Sequence, residues 1–345
     1  MTLSTMPTQA QTTKMRSGVV VKPGVFQLES RDLPTEAPEG WALIDICAVG
    51  ICGTDYHIFA GKHPFLNYPR TIGHELSGRI AKAVDGWQQG ELVVINPYVS
   101  CGKCRACRKG KPNCCERIEV LGVHREGGMC ARVAVPVTNL YRATGLTELQ
   151  AAMVEFLAIG AHAVSRAGDL QGERVLVTGA GPIGLGTALF ARLQGAEVHL
   201  LDLSEARLEQ ARKKFAFDKC HKAGDPVLSG SLSDGFDVIF DATGSARAIE
   251  AGFPLLAHGS RYVLVSVVKD EIRFDDPEFH KREAQIIGSR NATARDFETV
   301  MHAIREGLID TDALCSLEIP FGTVAERFEE LANNRDTLIK AVVTI

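Results

Sequence analysis

Arg174-Val-Leu-Val-Thr178 runs directly into Gly179-Ala-Gly181-Pro182-Ile183-Gly184, after which residues to Gln194 keep a helical period. A Gly-x-Gly-x-x-Gly turn alone would mean little, because glycine-rich turns are common. Placed between an apolar strand and a helix, it is the fingerprint of a dinucleotide-binding βαβ unit. Gly179 allows the tight turn, Gly181 lets the backbone approach a pyrophosphate, and Gly184 lets the helix pack close to the sheet. Pro182 and Ile183 belong to the same cofactor-binding turn, where free helix amides and the positive dipole face the phosphates. Asp202 ends the next strand, 18 residues after Gly184. A carboxylate there would accept bonds from the adenosine ribose hydroxyls and repel a 2′-phosphate, favouring NAD over NADP. The bland alternative makes Asp202 a helix N-cap. Arg207, five residues on, is counted with the cofactor contacts and would soften the discrimination.

Outward from this motif, strands alternate with helices from about Leu149 to Ser289. Glu197–Leu201, Asp237–Asp241, Tyr262–Ser266 and Gln285–Gly288 read as further strands, and Ser204–Lys214 as an amphipathic helix. That is the rhythm of a Rossmann-type, doubly wound parallel sheet in an α/β fold. Upstream, from Ser17 to about Val137, the pattern is short apolar runs broken by Gly, Pro and Asp, which reads as a mainly β unit with long functional loops. Downstream, a helix over about Ala294–Glu306 and a final strand, Lys340–Ile345, remain. That last strand is expected to return to the first unit and make it discontinuous. Met1–Lys14 is rich in Ser, Thr and Gln and reads as a loose tail.

Five of the ten cysteines fall between Cys101 and Cys115. Cys101, Cys104 and Cys107 recur at every third position on a turning loop, and Cys115 follows on a returning segment. Four thiolates so placed can close a tetrahedral zinc shell. Ferredoxin-type clusters also use two-residue spacings, but their last cysteine comes sooner and precedes proline; here Glu116 follows. Cys114 is a spare thiol able to stand in for Cys115. A closed S₄ shell leaves no open position, so this zinc is structural.

Two further segments, Cys52-Gly-Thr54-Asp55-Tyr-His57 and Gly73-His74-Glu75, place Cys52 and His74 22 residues apart. Each alone is unremarkable, since a lone buried Cys or His is more often packing than ligand. With the glycine loop and the cysteine lobe, they make the chain resemble the zinc-containing medium-chain alcohol dehydrogenases from about Met15 to Ile345. The resemblance implies a GroES-like, mainly β catalytic domain over 15–158 and 293–345, and an NAD-binding Rossmann domain over 159–292. It implies two zinc ions per chain, with the catalytic one held by Cys52 and His74. Glu75 and Glu155 would serve as the alternating carboxylate or water-linked ligands of the polyol branch, although Phe156 stands where the family often has proline. Asp55 would orient His74. Thr54 would take the substrate's hydroxyl proton and pass it through the cofactor ribose towards His57, with hydride going to the nicotinamide.

Gly61-Lys-His63-Pro64-Phe65, Tyr68-Pro69-Arg70, Leu121-Gly-Val-His124-Arg125-Glu-Gly-Gly128 and Gly288-Ser-Arg290-Asn291 are similar to the sorbitol, threonine and sugar-acid branch of that family. Arg290 falls where sorbitol dehydrogenases place a substrate-contacting arginine, and an arginine can hold a carboxylate by paired bonds. With His124 and Arg125 as companions, the expected substrate is a hexonate, L-gulonate or L-galactonate, oxidised at C5. A neutral polyol comes next and L-threonine third. The bland reading leaves Arg125 and Arg290 as surface residues.

The formal net charge of −4 and 23% charged residues give no reason to expect nucleic acid or an anionic membrane as partner. The five cations Lys103, Arg105, Arg108, Lys109 and Lys111 in the cysteine lobe are read as a solvated face and not as a zinc ribbon for DNA. A 345-residue chain calls for two domains, and cysteine-rich loops without a leader fit a cytoplasmic enzyme. A homo-oligomer, dimer or tetramer, is expected from the family. A non-catalytic zinc- and dinucleotide-binding protein is the competing class, opposed by the presence of Cys52, Thr54, His57, His74 and Glu75 together.

Overall fold

The computed structural model describes residues 13–63, 66–334 and 337–345. The expected tail lies outside the described residues except at its end, and there the expectation needs correcting. Lys14 already opens the strand Lys14–Lys22, paired antiparallel with Val25–Asp32.

The strand Trp41–Ile51 is the spine of the β unit. It is buried along most of its length and pairs antiparallel with Glu75–Ile80 on one side and Lys340–Thr344 on the other. Its run Ala-Leu-Ile-Asp-Ile-Cys-Ala-Val-Gly-Ile is rich in β-branched residues, which suits a strand covered on both faces. Arg132–Pro136 pairs with its first half. The C-terminal strand thus joins the sheet that carries the first third of the chain. Ala341 lies opposite Ile51, one residue before Cys52. Cys315–Pro320 lies parallel beside Lys340–Thr344, a strand that the sequence pattern did not disclose.

The second sheet has six parallel strands in the order Cys220–Lys222, Glu197–Asp202, Arg174–Thr178, Phe236–Asp241, Leu256–Leu264, Gln285–Gly288. Strand order reverses at Arg174–Thr178, so the crevice beyond its C-terminal end is the topological switch point where such sheets bind ligands. The strand expected at Tyr262–Ser266 instead starts at Leu256 and stops at Leu264. Polar His258-Gly-Ser260 hid its beginning.

Helix Val154–Ala167 joins the two units. Eleven of its fourteen residues are buried, so it is a core helix and not a surface one. It packs on Pro182–Leu193, where Gly160 meets the Thr187 backbone so closely that a Cβ would have no room. Its first turn carries Glu155, anchored by the fully buried Phe156 next to it. Burying such a ring contributes about 1.5–3 kcal/mol.

Candidate active site

The glycine loop takes the conformation its sequence demands. Gly181 is the N-cap of helix Pro182–Leu193, and a Cβ on Gly184 would overlap the Gly179 carbonyl oxygen. Beside it lies a cavity of about 640 Å³ lined by Gly179, Gly181, Asp202, Arg207, Thr243 and Arg247 among others. Asp202 stands at the end of its strand with Oδ2 accepting from Ala180 N at 2.7 Å and Oδ1 from Ser204 N at 2.7 Å. Its carboxylate therefore braces the glycine loop as well as facing the cavity. The N-cap of the following helix is Ser204, not Asp202. Arg207 lies 3.8 Å from Asp202 Oδ2. It also borders a second cavity of about 350 Å³, which Ile51, Gly53, Tyr56 and Pro182 share. That cavity leads from the glycine loop to the residues around Cys52.

Cys52 is the N-cap of helix Gly53–Phe59, and Asp55 lies in the first turn of that helix. Asp55 is fully buried; Oδ2 accepts from Cys52 N at 2.9 Å and Oδ1 from Gly73 N at 3.3 Å. It thereby fastens together the backbones that carry Cys52 and His74. Burial raises its pKa, opposed by His74. The direct contact expected between Asp55 and His74 is looser, 3.7 Å from Oδ1 to Nδ1.

Ligand atoms of Cys52, His74 and Glu75 all lie within 4.8 Å of one another. Glu75 is fully buried, and its Oε1 accepts from Lys340 Nζ at 2.6 Å while Oε2 has no partner. Gly50 makes space for that free oxygen, because a Cβ there would collide with it. Burial works against it, yet the neighbouring Cys52 and Asp55 charges lift His74 well above its usual range. A half-buried sulfur, an imidazole and an unpartnered carboxylate oxygen share one small space, in which Lys340 meets only the other oxygen of Glu75. That donor set and charge fit zinc. Glu155 stands apart from this trio. Tyr98 Oη donates to its Oε1, and burial pushes its carboxyl up to about 7. Burial, reinforced by Glu155, also raises the Tyr98 phenol, which keeps it a donor.

Thr54 is half-buried and His57, one turn along the same helix, is exposed. His63 is lowered by burial and by the charges of His124, His57, His74 and Lys269, which places these groups in one neighbourhood. Of the expected substrate contacts, His124 is exposed, and its Nδ1 accepts from Val120 N at 3.1 Å. Arg125 is committed elsewhere, 3.3 Å from Glu119 and 4.7 Å over the Trp41 ring. Arg290 is exposed, and its carbonyl accepts from Asn113 Nδ2 at 3.0 Å. Burial lowers His124, and Arg70 and Arg290 act in the same direction.

In the cysteine lobe the sulfurs of Cys101, Cys104, Cys107 and Cys115 lie within 4.8 Å of one another. Cys101 N and Arg117 N both approach Cys115 Sγ at 3.3 Å, as amides do around a thiolate. Amides of Lys103 and Cys104 draw the Cys101 thiol down to about 6. Cys114 is exposed and outside the group, whereas Cys115 is buried within it.

Two residues that shape the site escaped the sequence reading. Tyr98 and Lys340 each hold one of the two glutamates, and the signal for Lys340 was a single lysine opening an otherwise apolar strand.

A two-unit chain whose cleft joins a dinucleotide crevice to an electron-rich metal pocket belongs among the metal-dependent dehydrogenases. Residues 38–145 match the alcohol dehydrogenase GroES-like domain, and residues 182–306 match the zinc-binding dehydrogenase domain. The chain is a member of the zinc-containing, medium-chain alcohol dehydrogenase family. It is 42% identical to the L-galactonate-5-dehydrogenase of Escherichia coli K12, over 92% of this chain and 95% of that one. It is 30% identical to the 2-dehydro-3-deoxy-L-galactonate 5-dehydrogenase of Pseudoalteromonas atlantica, over 86% and 90% of the two chains. The NADH complex of an Escherichia coli CFT073 dehydrogenase, described as the short chain alcohol dehydrogenase rspB, superposes with a TM-score of 0.89. It is 29% identical and covers 96% of this chain and 99% of its own. No helix among the described residues is long and apolar enough to cross a membrane.

Proposed function

We propose that this enzyme oxidises the C5 hydroxyl of an L-galactonate- or L-gulonate-type hexonate with NAD as hydride acceptor. The observation that carries the reading is 42% identity along nearly the whole chain to an L-galactonate-5-dehydrogenase. It is supported by Arg70 and Arg290, whose charges both act on His124, and by His124 and His74 acting together on His63. Cys52, His74 and the free Oε2 of Glu75 would hold the catalytic zinc, and the four thiolates of the lobe the structural one. The glycine loop Gly179–Gly184, with Asp202 and Arg207, would hold the dinucleotide. The catalytic domain is taken as 15–158 with 293–345, and the cofactor domain as 159–292.

When bound, zinc supplies a cation that makes the substrate hydroxyl acidic, and NAD supplies the hydride acceptor. The chain's own residues do the rest. Thr54, half-buried beside Cys52, accepts the substrate hydroxyl's proton as it passes its own on towards His57, which exchanges it with solvent. Asp55 fixes both ligand-bearing backbones so that the pocket keeps its shape. Lys340 anchors Glu75 through Oε1, while the Tyr98 phenol holds Glu155. Arg290 would pair with the substrate carboxylate.

The test is optical NAD reduction over a panel of hexonates, hexitols, L-threonine and simple alcohols, with and without a zinc chelator. A chelator-sensitive signal confined to hexonates supports the reading. Signal on polyols alone would keep the chemistry and discard the carboxylate contact, and silence from folded, zinc-loaded protein would favour a non-catalytic binding role. Ten cysteines, none of them in a disulfide, suit a reducing cytoplasm. The strand Gln285–Gly288, with Ile286 exposed at the margin of the parallel sheet, offers the edge through which two chains would pair as a homo-oligomer.

A further inference from the structure

Asp241 closes the strand Phe236–Asp241 and is fully buried, yet among the described residues no cation is paired with it. Its carboxylate is satisfied by neutral donors instead. Thr178 Oγ1 donates at 2.8 Å, Ser266 Oγ at 2.7 Å, Thr243 Oγ1 at 2.9 Å and Thr243 N at 3.2 Å. Its backbone carbonyl also accepts from Val265 N at 2.9 Å and Ser266 N at 3.1 Å. A buried carboxylate is costly unless all its lone pairs are used, and bonds to a charged acceptor are the stronger ones.

These donors come from the C-terminal ends of three neighbouring strands. Thr178 precedes the glycine loop, Thr243 lies in the loop after Asp241, and Ser266 in the loop after Leu256–Leu264. Thr178 and Thr243 line the 640 Å³ cavity; Ser266 does not. Three residues beyond Ser266, Lys269 Nζ donates to the Lys62 carbonyl at 3.2 Å, reaching the other unit of the chain.

We propose that Asp241 is a positioning residue for the dinucleotide, its carboxylate locking the glycine loop to the two loops that flank the bound cofactor. It touches no cofactor atom itself. The assignment rests on NAD being the cofactor. Replacing Asp241 by Asn keeps the shape but removes the charge and one acceptor, so the three loops lose their common anchor.

The experiment is fluorescence titration of NADH and of ADP-ribose onto the zinc-loaded full chain, with melting temperature measured in parallel. Asp241→Asn should raise the NADH dissociation constant by about tenfold or more. Ser266→Ala, which frees only the loop outside the cavity, should weaken NADH severalfold and leave ADP-ribose unchanged. It also keeps the question open to test if the Asn variant does not fold. A lowered melting temperature with unchanged NADH binding in both variants would reduce Asp241 to a structural residue and overturn the proposal. Failure of the unmodified protein to bind NADH would instead bring down the cofactor assignment, and this inference with it.

Discussion

Lys340 and Glu75, 265 residues apart, form an ion pair of 2.6 Å in which both side chains are almost completely buried. Lys340 Nζ also donates to the Ile51 carbonyl at 3.3 Å and lies 4.4 Å over the Phe156 ring. Against burial, Glu75 and Cys52 raise its pKa, so the ammonium stays charged. The pair uses one oxygen of the carboxylate: Oε1 is spent on the lysine, and Oε2, lying over Gly50, has no partner and is the oxygen proposed for the metal.

Removing the lysine should therefore affect stability and metal binding together. Lys340→Met leaves Glu75 buried without its counter-charge, a change that costs about 3–5 kcal/mol in comparable buried pairs. Catalytic zinc affinity should fall about 10–100-fold, the usual loss when a ligand's supporting partner is removed. Chelator competition and thermal melting measure both. Unchanged zinc affinity in a folded Met variant would mean that Glu75 does not use its free oxygen for the metal.

The cysteine lobe allows a sharper pair of variants. Cys115 is buried and receives two amide contacts at 3.3 Å, whereas its neighbour Cys114 is exposed. Cys115→Ser should drop the metal content from two zinc ions per chain to one and lower the melting temperature. Cys114→Ser should change neither. Equal effects from the two would break the assignment of the fourth ligand.

What the sequence disclosed and what it hid divide along sequence distance. The glycine loop, the four cysteines and the Cys52–His57 helix are local devices, so their spacing announces them. Asp202 was legible because its strand is the next one after the loop and its helix. Lys340 on Glu75, Tyr98 on Glu155 and the donors around Asp241 come from elements 57 or more residues apart, or from several strands at once. No periodicity encodes such pairs; only the closed sheet does. Arg125 shows the limit of such reading, because a charged loop residue looks the same in sequence whether or not it also meets Glu119 and Trp41, as it does here.

Thr54 and His57 lie on one helical face, three residues apart, one half-buried and one exposed. Thr54→Val keeps the volume and deletes the hydroxyl. Turnover should fall by about 10²–10⁴, the range for losing a positioned proton acceptor, with NADH binding unchanged. His57→Ala should cost less, since solvent replaces an exposed exchanger. A Val variant with full activity would remove Thr54 from the proton path.

Arg290 decides the substrate question. It is exposed, its backbone is held by Asn113, and it shares its surroundings with His124 and Arg70. A guanidinium that grips a carboxylate contributes to binding acids and does little for neutral polyols of the same length. Arg290→Ala should therefore raise KM for a hexonate about tenfold or more, while KM for the matching hexitol moves little and kcat on saturating hexonate is largely kept. His124→Ala, tested beside it, should give a smaller rise, because its Nδ1 is already occupied by the Val120 amide. If Arg290→Ala raised KM equally for acid and polyol, the arginine would be shaping the cleft instead of reading the charge.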